Sequence, residues 1–233
     1  MHSALSKRVV ALVLVTAGIG DALARDSKPA GPLTVKLDSV AGLELVNATA
    51  EVVSYRGRRA LHLVPEAGQA KSDGSMLAIL AGPDFKDGTI QLDLAGAPRP
   101  GSPENMRGFI GVAFRLQPHG SPSELLYLRP ANARIDDQLA RNHATQYVSD
   151  PDFPWKRLRE ENPGVYESYV DLDPGAWTAM KVVVSGTRAE LYVNGASQPC
   201  LIVKDLKRGE SHGQIGLWAH TTTEAYFSSL TVR

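Results

Sequence analysis

WTAMKVVVSGTRAELYVNG, residues 177–195, decides the fold. Two runs rich in β-branched and aromatic residues, 177–185 and 188–193, flank Gly186-Thr187. Strand, two-residue turn with glycine, strand is the signature of an antiparallel hairpin. The same pattern recurs outward from it. Residues 51–55 and 60–64 flank Arg56-Gly57-Arg58-Arg59, a second hairpin signal. In 88–94, Ile90, Leu92 and Leu94 alternate with Thr89, Gln91 and Asp93. In 108–116, Ile110, Val112 and Phe114 alternate with Gly111, Ala113 and Arg115. Runs at 124–129, 213–219 and 224–232 continue the series, with Gly, Pro, Asn and Asp between them. Helical spacing is weak except at 135–142 and 155–161. The chain therefore reads as all-β, a two-sheet antiparallel sandwich with a long loop insertion. A closed barrel is the alternative. Residues 95–107, rich in Pro and Gly, read as a plain connector.

Residues 1–24 read as a secretory signal peptide. Lys7 and Arg8 precede a short apolar run, and Ala22-Leu23-Ala24 has the small-x-small pattern of a cleavage site. Residues 25–32 follow as a leader, and 33–233 form one domain. The expected location is periplasmic or secreted, with no membrane attachment after cleavage. Lysine plus arginine and aspartate plus glutamate number 25 each, which argues against a nucleic-acid surface. Cys200 is the only cysteine, so no intrachain disulfide or cysteine-rich zinc site is available. No dense cluster of His, Asp and Glu occurs, and no catalytic metal or other cofactor is expected. Oxygen ligands leave little trace in sequence, so a structural calcium at a loop stays open.

The unusual stretch runs from Tyr127 to Val170. It holds six of the 15 aromatic residues and thirteen charged ones. A loop this long and this aromatic is suited to a function rather than to disorder. Aromatic faces stack on the C–H face of a pyranose, and guanidinium forks grip oxygens in fixed geometry. Tyr127 and Arg129 point opposite to Leu126 and Leu128, and Glu167 opposes Val170. If these strands neighbour 108–116 and 88–94, one sheet carries a polar face roofed by the insertion. The expected carbohydrate-binding residues are Arg115, Tyr127, Arg129, Arg134, Arg141, Trp155 and Tyr166. If the protein is an enzyme, Glu167 is the acid/base and Asp137 or His143 assists. The nucleophile-elbow, zinc-protease, P-loop and Rossmann signatures are absent.

The hairpin ending in Val193-Asn194-Gly195 resembles that of the concanavalin A-like lectin/glucanase sandwiches. Gly213–Trp218 with Ala225–Val232 resembles their closing strands, and Phe85–Leu94 with Arg107–Arg115 their earlier ones. Within the superfamily the closest resemblance is to laminin-G-like domains and to the 3-keto-disaccharide hydrolases. It implies a jelly-roll sandwich whose site is a polar concave sheet. It leaves two activities open: a carbohydrate-binding or carbohydrate-processing domain, including a 3-keto-glycoside-type hydrolase, and a non-enzymatic adhesion or scaffold module. The Glu-x-Asp strand of the family-16 glucanases is missing from this sequence.

Overall fold

The computed structural model describes residues 32–68, 74–82 and 84–233. The expected signal peptide, and all but the last residue of the expected leader, lie outside the described residues.

The strands form two separate sheets in which every pairing is antiparallel, so the architecture is a sandwich and not a closed barrel. The eight-stranded sheet runs in the order Leu201–Val203, Arg188–Val193, Thr178–Ser185, Gly88–Pro98, Thr223–Val232, Arg58–Pro65, Ala48–Tyr55. Leu33–Val35 also pairs with Thr223–Val232. The seven-stranded sheet runs Glu167–Ser168, Thr145–Asp150, Ser123–Leu128, Ile110–Leu116, Gln214–His220, Ser75–Leu80, Leu43–Val46. Both hairpins read from the sequence are present. The tight turn at Arg56-Gly57 has φ of 42° and 78°, the left-handed pair that a two-residue hairpin loop requires.

The core lies between the sheets. Ile90, Leu94, Val182 and Phe227 face it from the eight-stranded sheet, against Val112, Leu126 and Leu217 from the other. Removing this apolar surface from water is the main favourable term in folding. The sheets differ in their second face. Thr178–Ser185 alternates between buried and open, as a sheet wet on one side does. Ile110–Leu116 and Ser123–Leu128 are buried at every residue. Something therefore covers the outer face of the seven-stranded sheet. Residues 105–107, Asn132, Ala140, His143, Pro154, Trp155 and Arg159 contribute to the cover.

Two expectations are corrected here. Strand Gly88–Pro98 belongs to the eight-stranded sheet, so Thr89, Gln91 and Asp93 do not share a face with Tyr127 and Arg129. Arg115 does not point into the polar face. Leu116 pairs with Gln214 and Ala113 with Gly216, which leaves an extra residue on the 110–116 strand. This bulge, with Arg115 at φ 50°, ends the alternation that the sequence implied. The Arg115 side chain is fully buried. It donates to the carbonyls of Lys86 (2.9 Å), Gly209 (2.6 Å) and Gly186 (2.7 Å) and to Asp87 Oδ1 (3.2 Å). It thus ties three loops together at one end of the sandwich.

Arg115→Met keeps the length and removes the donors. Three carbonyls and a carboxylate then lose their partner, and stability falls by roughly 2–4 kcal/mol. Urea unfolding measures this. A loss below about 0.5 kcal/mol, the range of ordinary surface changes, would show that the guanidinium is not a structural tie.

Candidate functional site

The seven-stranded sheet has a row of residues in register across its outer face: Leu77, Trp218, Gly111, Tyr127 and Gln146. The glycine is obligatory. A Cβ at Gly111 would lie 2.1 Å from the carbonyl oxygen of Leu126 and 2.6 Å from Tyr127 Cα. With no side chain between them, Trp218 and Tyr127 approach to 5.0 Å between ring centroids. Phe109 adds an edge contact to Tyr127 at 6.2 Å. These three rings are an aromatic floor. Above it lies a hollow of about 660 Å³, within the range of small-ligand sites. Asn105, Met106 and Arg107 form part of its wall, so the expected connector 95–107 contributes to the site.

Helix Trp155–Glu161 supplies another wall. Leu158 is fully buried and anchors it. Trp155 and Arg159, four residues apart, lie on one face of the helix. The Arg159 guanidinium sits 4.7 Å from the Trp155 ring, and that of Arg129 lies 5.9 Å away. Trp155 is 45% exposed, unusual for the largest apolar side chain.

Behind this wall sits a buried ionic cluster. Arg129 Nη1 donates to Glu167 Oε1 at 3.0 Å and to the His143 carbonyl at 3.2 Å. Its Nη2 donates to the Tyr127 hydroxyl and to Gln146 Oε1, both at 2.9 Å. Arg159 grips the same carboxylate with Nε on Oε2 at 2.9 Å and Nη2 on Oε1. Burial alone would raise the Glu167 pKa. The hydrogen bonds from Arg159 and Arg129 outweigh it and hold the carboxyl below the usual range. Its side chain is only 2% exposed. His143 Nε2 lies 3.5 Å from Glu167 Oε2. Burial, helped by the two guanidiniums against the pull of Glu167, lowers the His143 pKa and keeps the ring neutral near pH 7.

Of the residues expected at the site, the fold gathers Tyr127, Arg129, His143 and Trp155 around the hollow, with Glu167 behind them. Five lie elsewhere. Arg115 is the loop tie described above. Arg134 is half-exposed and forks onto Asp171 at 3.0 and 3.2 Å, with Asp173 at 2.6 Å. Arg141 stacks over Tyr169 and donates to its hydroxyl at 3.2 Å. Asp137 caps helix Gln138–Arg141, accepting from the Ala140 amide at 3.1 Å. Tyr166 is buried, its hydroxyl donating to Asp205 Oδ2 at 2.7 Å. In each case a nearer partner already satisfies the polar group. Phe109, Trp218, Arg107 and Arg159 join the hollow although the expectation did not include them. The signal for Phe109 was its phase, two residues before Gly111, and for Arg159 its helical spacing from Trp155. Among the described residues, no group of three or more His, Cys, Asp or Glu side chains is placed to hold a metal ion.

No family model matches the sequence, and no curated protein matches it. Solved structures do match the fold. The carbohydrate-binding module CBM66 from Bacillus subtilis superposes with a TM-score of 0.54 at 17% identity, over 82% of this chain and 96% of that one. A Bacillus subtilis protein with a galectin-like fold gives 0.57 at 14%, over 86% and 94%. The exoplasmic/lumenal domain of VIP36, in a form bound to Ca²⁺ and mannose, gives 0.54 at 12%, over 87% and 88%. The chain has the sandwich fold of the concanavalin A-like and galectin-like lectins.

Proposed function

We propose that this protein binds a saccharide in the hollow on the outer face of its seven-stranded sheet, and holds it without cleaving it. The observation that carries the reading is the half-exposed Trp155 beside a floor of Phe109, Tyr127 and Trp218. A ring face at the mouth takes the C–H side of a sugar, and Arg107, Arg159 and His143 meet its hydroxyls. Carbohydrate recognition is also what the names of CBM66 and of mannose-bound VIP36 state for those proteins. The signal-peptide pattern of residues 1–24 supports export, to a periplasm or outside the cell. Among the described residues no helix is long and apolar enough to cross a membrane. The recognition proposed uses no cofactor.

Binding is favoured over hydrolysis by the carboxylates. Glycosidases generally place two carboxyl groups on either side of the scissile bond. Here Asp150 is the one carboxyl residue lining the hollow among the described residues. Glu167 is ionised and both its oxygens are engaged, so it has no proton to give a leaving group. Its role is to fix Arg129 and Arg159.

On a glycan array the protein retains a defined subset of oligosaccharides. Trp155→Ala weakens the best of them by about tenfold or more in titration calorimetry. Prolonged incubation releases no new reducing ends from native or 3-keto sugars. Turnover of either would overturn the binding-only reading, and full affinity in Trp155→Ala would remove the tryptophan from the site.

Glu167→Gln lowers stability by on the order of 2–3 kcal/mol at neutral pH, because the buried Arg129 and the partly exposed Arg159 lose their counter-charge. The pH dependence has a definite sign. A carboxyl whose folded pKa is depressed stabilises the fold fully above its unfolded value, about 4.3. That contribution is lost as pH falls through the lower folded value. The gap between wild type and variant therefore narrows in acid. A gap of constant size from neutral pH to pH 3 would mean that the ion pair is not its source.

A further inference from the structure

The walls of the hollow carry an imbalance of charge that the whole chain does not. The chain has formal net charge zero. Among the described residues, three guanidiniums line the hollow, those of Arg107, Arg129 and Arg159, against the single carboxylate of Asp150. Glu167 compensates one of them from behind, where it is sealed from any ligand. His143 adds no negative charge. The three guanidiniums differ in how far they are committed. Arg129 spends both terminal nitrogens on Glu167, Tyr127, Gln146 and the His143 carbonyl. Arg159 spends Nε and Nη2 on Glu167, and among the described residues its Nη1 has no hydrogen-bond partner. Its side chain is 32% exposed. Among the described residues, Arg107 bonds through Nη1 alone, to the carbonyls of Glu104 (2.7 Å) and Met106 (3.1 Å). Its backbone carbonyl accepts from the Ala131 amide at 3.1 Å, which holds its loop against the roof. The site thus offers guanidinium donors that no acceptor among the described residues uses, next to a tryptophan face.

We propose that the saccharide this hollow selects is acidic, a uronic-acid-containing glycan whose ring lies on Trp155 and whose carboxylate is held by Arg159, with Arg107 reinforcing the positive wall. The proposal rests on the carbohydrate reading above. Arg159 is held over the Trp155 ring, 4.7 Å from its centroid, so a sugar seated at that ring brings its carboxylate close to a guanidinium already in place. The glutamate grip holds the guanidinium in place before the ligand arrives, so little side-chain freedom is lost on binding. A neutral sugar would leave the unsatisfied donors in water or in a weaker bond. Charge-assisted hydrogen bonds are about twice as strong as neutral ones, and a concave low-dielectric wall strengthens them further.

The test uses the full chain and matched probes that differ only in charge. Tetrasaccharides of galacturonate, mannuronate and hyaluronan are titrated beside their methyl esters, a sulfated tetrasaccharide and neutral xylan and glucan fragments. The expected result is that one uronate series binds at least about tenfold more tightly than its methyl ester. The preference shrinks between about 20 and 500 mM NaCl, as screening requires. Arg159→Gln lowers uronate affinity several-fold more than it lowers that of the ester, so that the two converge. Arg159→Lys, which keeps the charge and the packing over Trp155, restores part of it, and thermal melts confirm that both variants fold. Equal or tighter binding of the methyl ester or of the neutral fragments overturns the acidic-ligand proposal while leaving the hollow a saccharide site. Tighter binding of the sulfated probe than of every uronate overturns the carboxylate assignment. Binding of none of the probes, with the glycan array also blank, overturns the carbohydrate reading itself.

Discussion

A carboxylate buried behind a sheet, held by two guanidiniums, is the constraint from which the site follows. Glu167 stands on a two-residue edge strand, Arg129 at the end of a central one, and Arg159 on a short helix between them in sequence. Neither Glu167 nor Arg129 would be stable in its place alone, because an unpaired charge out of water is strongly disfavoured. Together they fix the insertion to the sheet edge. Sheet pairing alone would not do so, since Glu167–Ser168 makes only two register pairs. The apolar core between the sheets stabilises the sandwich. This ionic cluster decides what sits above its outer face.

A second buried network holds the insertion from the other end. Glu124, fully buried, accepts from the Tyr147 hydroxyl at 2.6 Å and from the Arg208 amide at 2.9 Å. Burial raises its pKa against those bonds. The Tyr147 hydroxyl in turn accepts from the Lys207 amide at 2.8 Å. Arg208 reaches across to the Asp150 carbonyl, and Arg115 holds Gly209. Loop 204–213 is thereby stitched to the seven-stranded sheet. Burial pushes the Cys200 thiol up to about 11, and its Sγ donates to the Leu191 carbonyl at 3.4 Å. The sandwich therefore carries buried polar ties at two places.

Much of this was legible in the sequence, and the parts that were not have identifiable causes. Period-2 alternation located the strands, since a half-buried strand must alternate. Glycine marked both hairpin turns, and the Trp155–Glu161 helix was visible from its spacing. Parity placed Tyr127 and Arg129 on a covered face. Parity failed at Arg115, where one extra residue reversed the direction of the side chain. It failed again for strand Gly88–Pro98, because alternation gives the face of a strand but not the sheet to which it belongs. Arg134, Arg141, Asp137 and Tyr166 show a different limit. Composition gathered them into one charged and aromatic stretch, but each is taken by a local partner that only the folded chain brings within reach. Trp218 joined the floor across a long sequence separation that no local pattern encodes.

Two of the three tryptophans, Trp155 and Trp218, border the hollow, while Trp177 lies with Tyr55 at the outer face of the other sheet. Their surroundings differ sharply: Trp155 is half in solvent with guanidiniums near its ring, and Trp218 is nearly enclosed. Indole emission responds to polarity and to nearby charge. The protein thus carries its own optical reporter, in which anything that dries the mouth of the cleft shifts the Trp155 spectrum toward the blue without a label.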